Sequence, residues 1–161
     1  MFLFRHGSAI ERDDRECPPE PERFLTKEGK QRTRAAARGM ARLGFEIDAV
    51  LSSPYLRARE TAEIAMSALG VELQLRITRA LLPEAEPAAL RHELLRLGAT
   101  GVLCVGHAPH LDRFAAYLVG SPVPVTALKK AGLAHLEATD LKNARAILVD
   151  VLTNKTLRRL A

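Results

Sequence analysis

Short apolar runs, separated by stretches of helical periodicity, set the pattern of this chain. Phe2–Phe4, Ala49–Leu51, Val102–Val105, Gly132–Leu136 and Ile147–Leu152 are each too short for a buried helix, and they predict five strands. The intervals between the first three are long enough for the crossover helices that parallel neighbours require. Thr26 is placed to cap a helix of about four turns. Its inward face carries Thr33, Ala36, Met40 and Leu43, and Gly44 stops it. Arg34, Arg38 and Arg42 lie on the opposite face, where like charges repel mildly and read as a solvated stripe.

A second helix is predicted with Ser53 as its cap and Pro54 at its first position. Ala58, Ala62, Ala65 and Leu69 form its buried stripe. Two more helices are predicted over Pro87–Leu97 and Pro109–Val119. Glu11–Phe24, rich in Pro, Asp, Glu and Arg, carries no core pattern and predicts a loop that overhangs the end of the first strand. The alternation as a whole predicts an α/β fold in a single domain over residues 1–161: a mainly parallel open sheet with helices on both faces.

Composition narrows the classes. With 47% hydrophobic and 27% charged residues over 161 positions, the chain reads as an ordinary soluble globular protein. Met1–Phe4 belongs to the first strand and does not read as a secretory signal. No segment approaches the length of a membrane span. Cys17 falls in a Pro-rich loop and Cys104 in an apolar strand, which predicts free thiols and a reducing cytoplasm. The formal charge of +5 favours anionic partners. Aromatic residues make up only 4% and no nucleic-acid-binding motif is present, so a phosphate-handling site explains the arginines better than nucleic acid does.

The chemistry collects where strands end. Arg5-His6-Gly7 follows the first strand and sets an anion clamp beside a nitrogen nucleophile, with a glycine that allows close backbone approach. In Ser52-Ser53-Pro54-Tyr55-Leu56-Arg57-Ala58, Arg57 falls in the opening turns of a helix. A cation there is disfavoured by the macrodipole unless an anion sits at the same helix end. Val105-Gly106-His107 closes a third strand. Three strands of one parallel sheet thus deliver phosphate-compatible side chains to one edge. His107 and His110 form a His-x-x-His pair, but no carboxylate or cysteine cluster completes a ligand set, so neither a metal nor another cofactor is expected. Arg59, His92 and His135 read as surface or structural residues.

In order and spacing, Arg5-His6-Gly7, Leu25-Thr26-x-x-Gly29, Ser52-Ser53-Pro54-x-x-Arg57-Ala58 and Val105-Gly106-His107 resemble the histidine phosphatase superfamily. Lys130-Ala131-Gly132-Leu133-Ala134 and Leu152-Thr153-Asn154-Lys155 look like its SixA-type phosphohistidine phosphatase branch. The resemblance spans nearly the whole chain. It implies the three-layer α/β/α fold of phosphoglycerate mutase-like proteins, His6 as nucleophile, and Arg5, Arg57 and His107, with Gly7, around the phosphate. It also implies an acidic residue three positions after Pro83, which is Glu86; Glu84 competes with it, and either is equally a charged helix-entry residue.

A P–N substrate lessens the need for such an acid, because its leaving nitrogen can arrive already protonated. The expected activity is therefore cofactor-independent dephosphorylation of phosphohistidine in proteins, in two steps through phospho-His6. The chain lacks room for large lid insertions, so an open site is expected, an expectation that loses its basis if Glu11–Phe24 roofs the site. A small phosphomonoester is the alternative substrate. A non-catalytic phosphate-binding module, docking through the basic surface, is the alternative class.

Overall fold

The computed structural model describes residues 1–161. The apolar runs at the ends of the first three connections become β1 (Phe2–Arg5), β2 (Ala49–Ser52) and β4 (Val102–Gly106), joined by α1 (Lys27–Arg42), α2 (Leu56–Leu69), β3 (Leu75–Ile77) and α3 (Pro87–Leu97). The chain continues through α4 (His110–Val119), β5 (Leu133–Asp140), β6 (Arg145–Leu152) and α5 (Asn154–Leu160). One six-stranded sheet results, in the order β3-β2-β4-β1-β5-β6. The first four strands in that order pair in parallel, and β5 and β6 add antiparallel. The mainly parallel sheet is thus a mixed one with an antiparallel edge.

Period-two alternation sends the strand side chains into two separate cores. Leu3, Leu51 and Cys104 pack with Leu90, Leu111 and Phe114 from α3 and α4. Phe4, Val50, Leu103 and Val105 pack on the other face with Ala37 and Met40 of α1, Ala58 and Ala62 of α2, and Leu157 of α5. Each fully buried Leu, Val or Phe contributes about 1.5–3 kcal/mol relative to exposure, so these two clusters are the main hold on the fold. No helix is long and apolar enough to cross a membrane.

The helix over Pro87–Leu97 has the predicted bounds, and that after Pro109 begins one residue later than predicted. Four features differ from the expectation. β3 is an additional, sixth strand at the sheet edge with Ile77 exposed; its signal is the period-two alternation of Val71-Glu72-Leu73-Gln74-Leu75-Arg76-Ile77 and not a continuous apolar run. α5 is an additional helix, capped by the Thr153 hydroxyl and tied down by one buried side chain, Leu157. Finally, α2 starts at Leu56 with Tyr55 as its cap residue, not at Ser53, and Leu43 at the end of α1 stays exposed.

Register decides where the chemistry meets. Arg5 pairs with Gly106 and Ser52 with Val105, so β1, β4 and β2 end level with one another. The ladder runs one residue further on both sides: His6 N–H donates to Gly106 O at 3.0 Å, and Ser53 N–H to Val105 O at 3.0 Å. His6, Ser53 and His107 are thereby held side by side at the carboxyl edge of the sheet, the edge where open α/β sheets bind ligands.

Candidate active site

His6 is the most tightly specified group at this edge. Its Nδ1 lies 2.7 Å from Gly7 O, an acceptor only, so Nδ1 carries the proton. That leaves Nε2 unprotonated, with its lone pair accepting from Arg57 Nε–H at 3.4 Å. Gly7 N–H donates to Thr61 Oγ1, which donates in turn to Arg57 O, so the turn that orients the imidazole is tied to α2. A Cβ on Gly7 would stand 2.2 Å from Thr33 Oγ1, which is why only glycine fits between His6 and α1.

Arg57, in the first turn of α2, is buried. Its fork is fixed from the segment 11–24: Nη1 donates to Glu20 O and Nη2 to Glu20 Oε1, both at 2.8 Å. Glu20 also pairs with Arg12 and Arg23, and this company, Arg12 foremost, holds its carboxyl down at about 2. Arg23 is itself buried and donates twice to Ile10 O. The stretch expected to be a patternless loop is therefore stitched together by charge instead of apolar packing. It supplies Glu11, Arg12, Asp13, Glu20 and Arg23 to the wall of a cavity of about 460 Å3, which also contains Arg5, His6, Arg57, His107 and Lys130. This segment walls the cavity on one side, with Arg12 and Glu11 themselves largely exposed.

His107 lies with its ring centroid 5.0 Å from that of His6. Its Nε2 meets Ser53 Oγ at 2.9 Å, and its Nδ1 has no partner. Ser53, expected as a helix cap, is thus a ligand of a site histidine. Arg5 is aimed by Leu128, whose carbonyl accepts from Nη1 at 2.6 Å. That loop is held in turn by the buried Asp112 carboxylate, which accepts from Leu128 N–H and Thr126 Oγ1. Asp112 lies close in sequence to the His-x-x-His pair, and its partners explain it as a support for Arg5. No three His, Cys, Asp or Glu side chains stand close enough to share an ion.

The surroundings keep the imidazoles neutral. Burial, reinforced by the charges of Arg57, Arg5 and Lys130, pushes His6 down to about 3 despite the bond to Gly7. Burial and the neighbouring His6 and Arg57 push His107 down to about 2. His110, fully buried with both ring nitrogens unpartnered, falls to about 4 for the same first cause. Such groups take up protons below about 6.5 only when the chain unfolds, so stability present above that pH is lost as the pH falls toward the folded values. Each contributes a slope of about 1.4 kcal/mol per pH unit in that window. His110→Leu is expected to leave stability at pH 7 unchanged or raised, and to remove about one such slope between pH 6 and 5. Urea unfolding of both proteins at the two pH values checks this, and an unchanged slope would show that His110 is not held neutral.

Glu84 and Glu86 are both exposed, and neither lines the cavity. Glu86 instead stands at the entry to α3 without making a side-chain cap bond. The acids that do reach the wall are Glu11, paired with Lys130, the triply paired Glu20, and the exposed Asp13. Arg59 and His92 are exposed, and His135 stacks on Phe2, all outside the site.

Comparison with known proteins places this geometry. The model of the histidine phosphatase superfamily (branch 1) matches residues 1–82. An uncharacterised protein of Picosynechococcus sp. is 36% identical over 143 residues, covering 86% of this chain and 84% of that protein. The phosphohistidine phosphatase SixA of Escherichia coli is 30% identical over 131 residues, covering 77% of this chain and 76% of SixA. Among solved structures, the protein histidine phosphatase SixA complexed with tungstate shares the fold, with a TM-score of 0.85 at 24% identity over 97% of both chains. A mycobacterial glucosyl-3-phosphoglycerate phosphatase does so with a TM-score of 0.72 at 18% identity, over 95% of this chain and 97% of that one.

Proposed function

The chain belongs to the histidine phosphatase superfamily and is a phosphatase, and from that premise we propose that it hydrolyses phosphohistidine in proteins through a covalent intermediate on His6. The observation that carries the proposal is the pairing of a neutral, Nδ1-protonated His6 with a cation-lined cavity whose Glu11 and Glu20 are tied up in ion pairs. A phosphomonoester leaves as an alkoxide equivalent and needs a proton donor beside it. A phosphohistidine, protonated on its second ring nitrogen, leaves as neutral imidazole and needs none. Glu86, the acid implied by the family pattern, stands outside the cavity wall, which favours the P–N bond, and the exposed Asp13 is the one wall carboxylate without an ion pair that an ester substrate would call on. The 30% identity to SixA points to the same substrate class.

In the first step, the His6 Nε2 lone pair forms a bond to phosphorus while the P–N bond to the substrate imidazole breaks. Arg57, Arg5 and Lys130 balance the charge on the equatorial oxygens, and His107 lines the same cavity. The Nδ1–H bond to Gly7 O keeps phospho-His6 in the protonated form from which neutral imidazole departs. In the second step, water attacks phosphorus, the P–Nε2 bond breaks and orthophosphate is released. Because His6 is held near 3, the nucleophile is ready across the whole neutral range, with no separate base required.

Tungstate, found in complex with the SixA of known structure, is expected to compete with substrate for the cation-lined cavity; inhibition that substrate does not relieve would place anion binding elsewhere. The substrate proposal is tested by comparing kcat/KM on a phosphohistidine-bearing protein with that on small aryl and sugar phosphates. Preference for the protein supports it. One observation favours a second reading: five of the twelve cavity-lining residues come from the segment 11–24, a wall suited to a small phosphomonoester. Clear preference for small esters would establish that reading.

A further inference from the structure

Beside the His6 cavity runs a second, larger groove of about 710 Å3, between the start of α1, the loop 129–131 and the start of α5. Arg5, Arg32, Lys129, Lys130, Lys155 and Arg158 line it, and none of its eleven lining residues is acidic. Arg32 and Lys130 are paired with Glu28 and Glu11, which stand outside the groove wall. Lys129, Lys155 and Arg158 are exposed, and they and Arg5 have no carboxylate within ion-pair distance. Lys129, Lys155 and Arg158, with Arg5 beside them, are like charges around one depression that repel one another, and a bound anion relieves that repulsion. The floor is built by Asn154, whose amide donates to Arg32 O and Ala131 O and so joins α5 to the other two walls.

The groove and the cavity share Arg5 and Lys130. A substrate with its phosphoryl group on His6 therefore continues over those two side chains into the groove. We infer that the groove is a docking site for an acidic peptide segment, rich in Asp and Glu, that flanks the phosphorylated residue of a protein substrate. The inference rests on the protein-substrate reading above. No aromatic side chain lines the groove, so it offers no stacking platform for the bases of single-stranded nucleic acid. Exposed lysines at its rim suit scattered carboxylates, while the more buried Arg5 stays with the phosphoryl group. Such a groove sets substrate choice and encounter rate and leaves the chemical step alone.

The test uses the variant Lys129→Glu/Lys155→Glu/Arg158→Glu, none of whose positions lines the His6 cavity. Binding is read first, by fluorescence anisotropy with a labelled unphosphorylated Asp/Glu-rich peptide, its Asn/Gln counterpart and a single-stranded DNA of similar length. Wild type is expected to bind the acidic peptide at least about tenfold tighter than the neutral one, with a marked loss at high salt, and the variant to lose that difference. Equal binding of the two peptides by wild type, an undiminished preference in the variant, or tighter binding of the DNA would overturn the inference. Turnover of phosphohistidine peptides with the same flanks is read second. The acidic flank should lower KM in wild type only, while both proteins hydrolyse the neutral peptide equally. If no peptide is hydrolysed, the protein-substrate reading fails, whereas the binding arm still decides whether the groove takes acidic chains.

Discussion

Replacing His6 by alanine is expected to reduce kcat on the order of 10^4-fold or more and to abolish any acid-labile phospho-enzyme. The size of the loss follows from what the residue supplies. Its Nε2 is unprotonated, because the proton is fixed on Nδ1 by Gly7 O, and its lone pair is held only by a long bond from Arg57 Nε. The second imidazole, His107, is held through Nε2 by Ser53. Truncation removes a buried, uncharged ring and leaves the turn intact, since His6 N–H still donates to Gly106 O and Gly7 N–H to Thr61. The variant should therefore fold and still bind tungstate, and circular dichroism together with anion titration separates lost chemistry from lost structure. A variant that folds and keeps more than a tenth of wild-type turnover would remove His6 from the chemistry.

Arg57→Ala is expected to cost about 10^2- to 10^3-fold in kcat/KM, the range seen when one preorganised donor to a developing charge is removed. The effect has two physical parts. The fork lies 3.4 Å from the attacking nitrogen and helps keep that imidazole neutral. It also anchors the segment 11–24 through both the carbonyl and the carboxylate of Glu20. Arg57→Lys should recover little, because a point charge cannot hold Glu20 twice and meet a phosphoryl oxygen as well. Recovery to within a few-fold by lysine would show that charge alone, without the fork, is what the site requires. Limited proteolysis reads the second part, with faster cleavage within 11–24 in both variants.

The layout of fold and site follows from particular residues. Phe2–Phe4, Ala49–Leu51 and Val102–Val105 are legible as strands because they are buried on both faces and so read as continuous apolar runs. Their ends carry His6, Ser53 and His107, so three of the site's elements are legible as well. Leu75–Ile77 is marked differently, by the alternation of Val71, Leu73, Leu75 and Ile77 with polar residues, because an edge strand keeps a solvated face and forms no continuous apolar run. The segment 11–24 is legible as a loop overhanging the end of β1, but what orders it is not, since Glu20 gathers Arg12, Arg23 and the sequence-distant Arg57 by charge and not by an apolar pattern. Ser53 reads as a helix cap in one dimension, and only the register of β2 against β4 turns its hydroxyl toward His107. Asp112 and Leu128 act on Arg5 through a loop that no local pattern marks.

The account turns on which atom takes the phosphoryl group, and one trapping measurement addresses it. Wild-type protein is mixed with a phosphohistidine-bearing substrate, quenched in alkali, and digested, and the phosphorylated residue and ring nitrogen are identified by mass spectrometry and by separation of the two phosphohistidine isomers. The expected product is His6 phosphorylated on Nε2. Phosphate on His107, on Nδ1 of His6, or on no histidine while turnover proceeds would contradict the mechanism.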